Sequence, residues 1–136
     1  MRRVFLDTNV LLDIALEREY RAEAEKIWEL ADKNSIDLFA TALSYANAAY
    51  IMRHLPLEER YARLLALTQG VVILPLTESH IFEAIAQPTN DFEDMLQYQC
   101  ARTAGCDVIV SNNTKDFKTF SALPVMTSRE FLTTSV

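Results

Sequence analysis

Short apolar runs alternate along this chain with longer segments whose apolar positions recur every three or four residues. The first run, Val4-Phe5-Leu6, stops at Asp7 and predicts a strand that ends in a carboxylate. Val10 to Leu16 then predicts a helix, and Ala22 to Lys33 a second one, with Ala24, Ile27, Trp28 and Ala31 on one face. Asp37 to Ala40 predicts a second strand, followed by helices over Thr41 to His54 and Leu57 to Gln69. Pro56 and the first-turn acids Glu58 and Glu59 suit the start of the latter. Val71 to Leu74 predicts a third strand, and Thr77 can cap a helix that runs through Ala86. Asn90 and Glu93 form a capping pair for a helix from Asp91 to Ala104. Val108 to Val110 and Val125 to Met126 predict the fourth and fifth strands. Strands alternating with helices predict an α/β fold, with a parallel, roughly five-stranded sheet covered on both faces.

Composition narrows this picture. A chain of 136 residues, half of them hydrophobic, is expected to form a single domain over 1–136 with a core that needs no staples. Cys100 and Cys106 have neither metal-site nor disulfide-framework spacing and read as small core residues. The net charge of −6 argues against a bare phosphate-backbone binder, although a bound divalent cation can reverse the local field. The two glycines, Gly70 and Gly105, each follow a helical run where a left-handed cap is wanted, and no glycine-rich nucleotide loop exists. His54 and His80 are too far apart for a zinc motif. No apolar run approaches the ~20 residues of a membrane span. Asp7, Asn9 and Asp13 interrupt what would follow a basic leader at Met1-Arg2-Arg3, so the expectation is a cytoplasmic protein without a membrane segment.

The acids carry the candidate chemistry. Asp7 stands at the carboxyl edge of the first strand, where open α/β sheets bind ligands. Asp91 and Asp94 lie three residues apart at the start of the helix leading into the fourth strand, and Asp116 follows that strand. A right-handed parallel topology can bring these distant acids to one cleft. Clustered carboxylates repel one another unless a cation joins them, and hard divalent cations that take oxygen ligands also activate water for phosphodiester hydrolysis. Three of these acids have a structural use as well. Asp7 can cap the next helix, Asp91 suits a first turn, and Asp116 suits a turn before Phe117. Asp13 reads as a surface residue or a partner of Arg18. Tyr45, Tyr50, Tyr61 and Tyr98 could stack on bases but read as core positions of amphipathic helices.

Three segments resemble the acidic motifs of PIN domains: Leu6-Asp7-Thr8-Asn9-Val10-Leu11-Leu12-Asp13, Asp91-Phe92-Glu93-Asp94, and Ser111-Asn112-Asn113-Thr114-Lys115-Asp116-Phe117. The resemblance spans nearly the whole chain, in the family's order and spacing. It implies a three-layer α/β/α sandwich and a Mg²⁺- or Mn²⁺-dependent endoribonuclease, often the toxin of a VapC-type pair and often a homodimer. Asp7, Asp94 and Asp116 match catalytic, metal-binding positions, with Asp91 as a helper. Thr8, Asn9, Ser44, Asn47 and Asn113 are expected as supporting polar residues. Asn47 stands where the family usually has a Glu, and Asn113 where many relatives carry an Asp, as in a subgroup with Asn in place of that Glu. The implied partners are RNA and an antitoxin, whose tail would lay an Arg among the carboxylates. A degenerate PIN-like binding module is the alternative. Phosphoaspartyl folds are disfavoured, because Asn9 stands where one class needs a second Asp and Pro75 follows the third strand.

Overall fold

In a computed structural model that describes residues 1–134, all five strands pair in parallel in the order β3-β2-β1-β4-β5. The strands are β1 (Arg2–Leu6), β2 (Ile36–Thr41), β3 (Val71–Leu74), β4 (Val108–Val110) and β5 (Val125–Met126). Alternate residues of one strand face opposite sides of the sheet, and here both sides are apolar. Val4, Leu6, Leu38, Ala40, Val108 and Val110 join one core cluster. Phe5, Phe39, Ile109 and Val125, offset by one residue, join the other. This double burial is why β1, β2 and β4 read as continuous apolar runs rather than as alternating ones.

Helices cover both faces. On the first side, buried residues come from α1 (Thr8–Ala15), α2 (Arg21–Asp32), α3 (Ala42–Ile51), α4 (Leu57–Leu67) and α8 (Ser128–Thr134). On the second, they come from α5 (Glu78–Ala86), α6 (Phe92–Thr103) and α7 (Thr114–Lys118). The result is the expected three-layer α/β/α arrangement. Several boundaries differ from the pattern-based ones. The expected helix over Thr41 to His54 ends as α3 at Ile51, and a short 3₁₀ turn, Met52–His54, follows before Pro56. Helices α7 and α8 were not expected, being only five and seven residues long. Gly70 and Gly105 both adopt φ of +72°, as left-handed helix ends require. Both cysteines are buried, and burial pushes their thiols up to about 11.

The order of the strands positions the site. From β1 the chain moves outward to β2 and β3, then returns across the sheet to β4 on the other side of β1. The direction of winding therefore reverses between β1 and β4, and the carboxyl ends of these strands flank the crevice where such folds take ligands. Asp7 is the first residue past β1, and its amide donates to the Val110 carbonyl at 3.0 Å, tying the two strand ends together.

Candidate active site

Three helices begin at this crevice, and each carries an acid in its first turn or at its cap. Asp7 caps α1: its Oδ1 accepts from the Thr8 amide at 2.8 Å and its Oδ2 accepts from the Ser111 hydroxyl at 2.9 Å. Its side chain is thus fixed from both strand ends while only 7% of the residue remains exposed. Asp91, rather than Asn90, caps α6 by accepting from the Asp94 amide at 3.0 Å. The expected capping pair of Asn90 and Glu93 does not form, because the helix begins one residue later with Asp91 as its cap, and the capped donor becomes the Asp94 amide. Asp116 lies in the first turn of α7. Asp91, Asp94 and Asp116 each offer an oxygen within 4.8 Å of the other two. Asp7 is not one of this triplet but lines the same cleft, of about 510 Å³, as Asp91 and Asp94.

The charges are poorly compensated. Burial pushes Asp7 up to about 6; the bonds from Ser111 and Thr8 oppose the rise, and the charges of Glu93 and Asp91 add to it. Asp94 is pushed up to about 7, first by burial and then by the charges of Asp7, Asp91, Asp116 and Glu93. Among the described residues, Arg18 is the one basic residue lining the cleft.

A polar network holds the floor. Thr8 and Ser44 share a hydroxyl bond at 2.8 Å, Gln97 Nε2 donates to Ser44 at 2.9 Å, and Thr41 donates to Gln97 Oε1 at 2.9 Å. All four residues are buried, so these bonds are strong constraints on how α1, α3 and α6 meet. Asn112 forms a second hub. Its amide group donates to Asp13 at 2.7 Å and to the Ser128 hydroxyl at 3.1 Å, and its backbone donates to Asn9 Oδ1 at 3.3 Å. Asp13 is therefore not a surface residue; it is 4% exposed and bound to Asn112, with Arg18 adding a favourable charge. Asn113 caps the short α7 through its backbone position, its amide donating to Ser111 Oγ at 3.1 Å.

Asn47 faces the cleft from α3 and donates to Glu93 Oε1 at 2.7 Å. Glu93, Gln97, Ser111 and Asn112 are site residues that sequence reasoning did not single out for the site. The only available signals were the adjacency of Glu93 to Asp94 and of Ser111 and Asn112 to the end of β4. Two tyrosines depart from the expected core role. Tyr98 is buried and Tyr45 is half-buried, but Tyr50 and Tyr61 are 65% and 62% exposed. Tyr50 lines the cleft, with the Arg53 guanidinium 4.0 Å above its ring.

Comparison with known proteins places this geometry in context. A family model described as the PIN domain matches residues 3–115, ending one residue before Asp116. The chain is 29% identical over 140 residues to ribonuclease VapC1 of Aquifex aeolicus (strain VF5), covering 95% of this chain and 92% of that protein. Its fold is similar to VapBC2 of Rickettsia felis bound to a promoter DNA fragment, with a TM-score of 0.72 at 17% identity over 90% of this chain and 96% of the other. It is also similar to VapBC-1 of nontypeable Haemophilus influenzae, with a TM-score of 0.70 at 18% identity over 93% and 98%.

Proposed function

The chain belongs to the PIN-domain family, and on that premise we propose that it is a divalent-metal-dependent endoribonuclease, the toxin of a toxin–antitoxin pair. The observation that carries this reading is the gathering of Asp91, Asp94 and Asp116 at the point where the sheet reverses direction. The donor set fits a hard cation. Octahedral oxygens at about 2.1 Å from Mg²⁺ lie about 3–4.2 Å apart, so oxygens already within 4.8 Å need only small side-chain rotations. The upward push on Asp94, with four acids contributing to it, marks a site short of positive charge. Mg²⁺ or Mn²⁺ suits these ligands. When bound, the cation lowers the pKa of a coordinated water and offsets charge on the scissile phosphate.

The chain's own residues supply the rest. Asp7 is held rigidly by Ser111 and Thr8, and each of its oxygens keeps a further lone pair for a water. With its proton affinity raised to about 6, its carboxylate can accept a proton from an attacking water near neutral pH. The polar floor of Thr8, Ser44, Thr41 and Gln97 fixes α6, and with it Asp94, relative to Asp7. At the rim, Tyr50 offers a ring face for an unpaired base and Arg18 a cation for a phosphate. Arg18 offsets part of the local negative charge, which alone disfavours RNA, and Tyr50 adds a contact that does not depend on charge. The expected products carry 5′-phosphates. Asp7→Asn is expected to abolish cleavage while the fold persists. Cleavage retained by that variant and insensitive to EDTA would overturn the reading. The alternative of a degenerate binding module loses ground to the assembled triplet, and calorimetry with Mn²⁺ separates the two, since a degenerate module would show no binding at millimolar metal.

Partners follow from the same premise. The names of the relatives, a ribonuclease and two VapBC proteins, support an antitoxin whose tail competes for the acidic cleft. A separate apolar groove runs between α3, α4 and edge strand β3, lined by Tyr45, Tyr61, Leu64, Leu65 and Ile73. We assign it to a second copy of the chain, because exposed apolar edges are ordinarily covered. Among the described residues no helix is long and apolar enough to cross a membrane, which suits a toxin working in the cytoplasm.

A further inference from the structure

We propose that Glu93 is a fifth carboxylate of the metal cleft and that Asn47 is the residue that positions it. The proposal rests on the ribonuclease reading above and adds to it a residue pair spanning two helices.

Glu93 is the second residue of α6, a place where an acid is favoured by the helix dipole alone and can point into solvent. Its side chain is instead drawn across to α3, where Asn47 Nδ2 donates to Oε1 at 2.7 Å. Asn is a poor residue for the middle of a helix, since its side chain competes for backbone bonds. Asn47 sits there with its amide directed away from its own backbone and at Glu93. That bond occupies Oε1. Oε2 has no protein donor among the described residues, so one oxygen remains available to the cleft.

Both residues line the same cavity as Asp7 and Asp94. Glu93 lies outside the triplet of Asp91, Asp94 and Asp116 but lines the same cleft as Asp7, so it adds a carboxylate to the oxygen-lined region. A fifth carboxylate fixed among four others is unfavourable without a cation and useful with one. The geometry therefore splits the work: α6 carries the carboxylate and α3 carries the amide that orients it.

A pair of this kind can be exchanged. Calorimetric titration of the full chain with Mn²⁺ is the test, on the native protein and on Asp94→Asn, Glu93→Gln, Asn47→Ala and the double variant Asn47→Glu/Glu93→Gln. The native chain binds, Asp94→Asn does not, and Glu93→Gln binds about tenfold more weakly or worse, as changes close to a metal commonly do. Asn47→Ala weakens binding through a loosened carboxylate. The double variant restores affinity to within about threefold of native, because the amide-to-carboxylate bond is kept with its direction reversed. Melting curves in EDTA show that each variant is folded. If Glu93→Gln binds Mn²⁺ like the native chain while Asp94→Asn does not, this proposal is overturned and the ribonuclease reading stands. If the double variant stays as weak as Glu93→Gln, the positional exchange is refuted. If the native chain itself does not bind, the ribonuclease reading fails first.

Discussion

Replacing Asp94 by Asn is expected to make the metal-free protein more stable at alkaline pH. The rise of Asp94 from its ordinary 3.8 to about 7 corresponds to about 4 kcal/mol between its two protonation states. The side chain is only half-buried, so solvent screening reduces the usable part to about 1–2 kcal/mol. An Asn in the first turn of α6 forfeits about 0.5 kcal/mol of favourable dipole interaction, which leaves roughly 1 kcal/mol, or ~3–5 °C in melting temperature for a domain of this size. The direction follows from linkage. An acid whose pKa is raised in the folded state contributes its stability in full below about pH 4 and loses it as pH climbs through about 7. In EDTA, Asp94→Asn should therefore match the native chain near pH 4 and melt above it at pH 8. Saturating Mn²⁺ should invert the order, since a ligand at a hundred times its Kd adds about 2.7 kcal/mol to whichever protein binds it. Thermal melts monitored by circular dichroism at pH 4 and 8, with EDTA or Mn²⁺, supply the numbers. A variant that melts below the native chain in EDTA at pH 8, or a gap that does not change with pH, would mean that the Asp94 charge does not burden the metal-free fold.

Two other outcomes are expected. Ser111→Ala removes the hydroxyl donor that restrains the proton affinity of Asp7, so the acid limb of the pH–rate profile should move to higher pH by about one unit; an unmoved limb contradicts an active carboxylate at Asp7. Tyr50→Leu should raise KM for single-stranded RNA about tenfold, in line with the loss of one stacked base, and leave Mn²⁺ affinity unchanged; an unaltered KM removes Tyr50 from the substrate path.

The strands and the layer arrangement were legible because burial on both faces leaves apolar runs too short to be helices, as in Val4-Phe5-Leu6 and Val108 to Val110. Asp7 was legible because a charge that closes such a run must sit at a sheet edge. The short helices α7 and α8 were not, since one or two turns carry too little periodicity to stand out. Asp13 and Glu93 show a second limit. Helical spacing allows either to face solvent, and each is turned inward by an amide distant in sequence, Asn112 for Asp13 and Asn47 for Glu93. Tyr50 and Tyr61 show the converse: their amphipathic spacing is satisfied, but the surface they face belongs to the cleft and to an open groove, not to the core. The cap of α6 fell on Asp91 instead of Asn90 because two adjacent residues with equal capping chemistry differ only in backbone conformation.

The proposed mechanism requires a divalent cation among Asp91, Asp94 and Asp116, within reach of Asp7. Anomalous diffraction from crystals of the chain soaked in millimolar Mn²⁺ tests it most directly. One strong peak is expected about 2–2.3 Å from oxygens of Asp94 and at least one of the other two, lost in Asp94→Asn crystals. A peak elsewhere on the surface, or none in the cleft of the native chain, contradicts it.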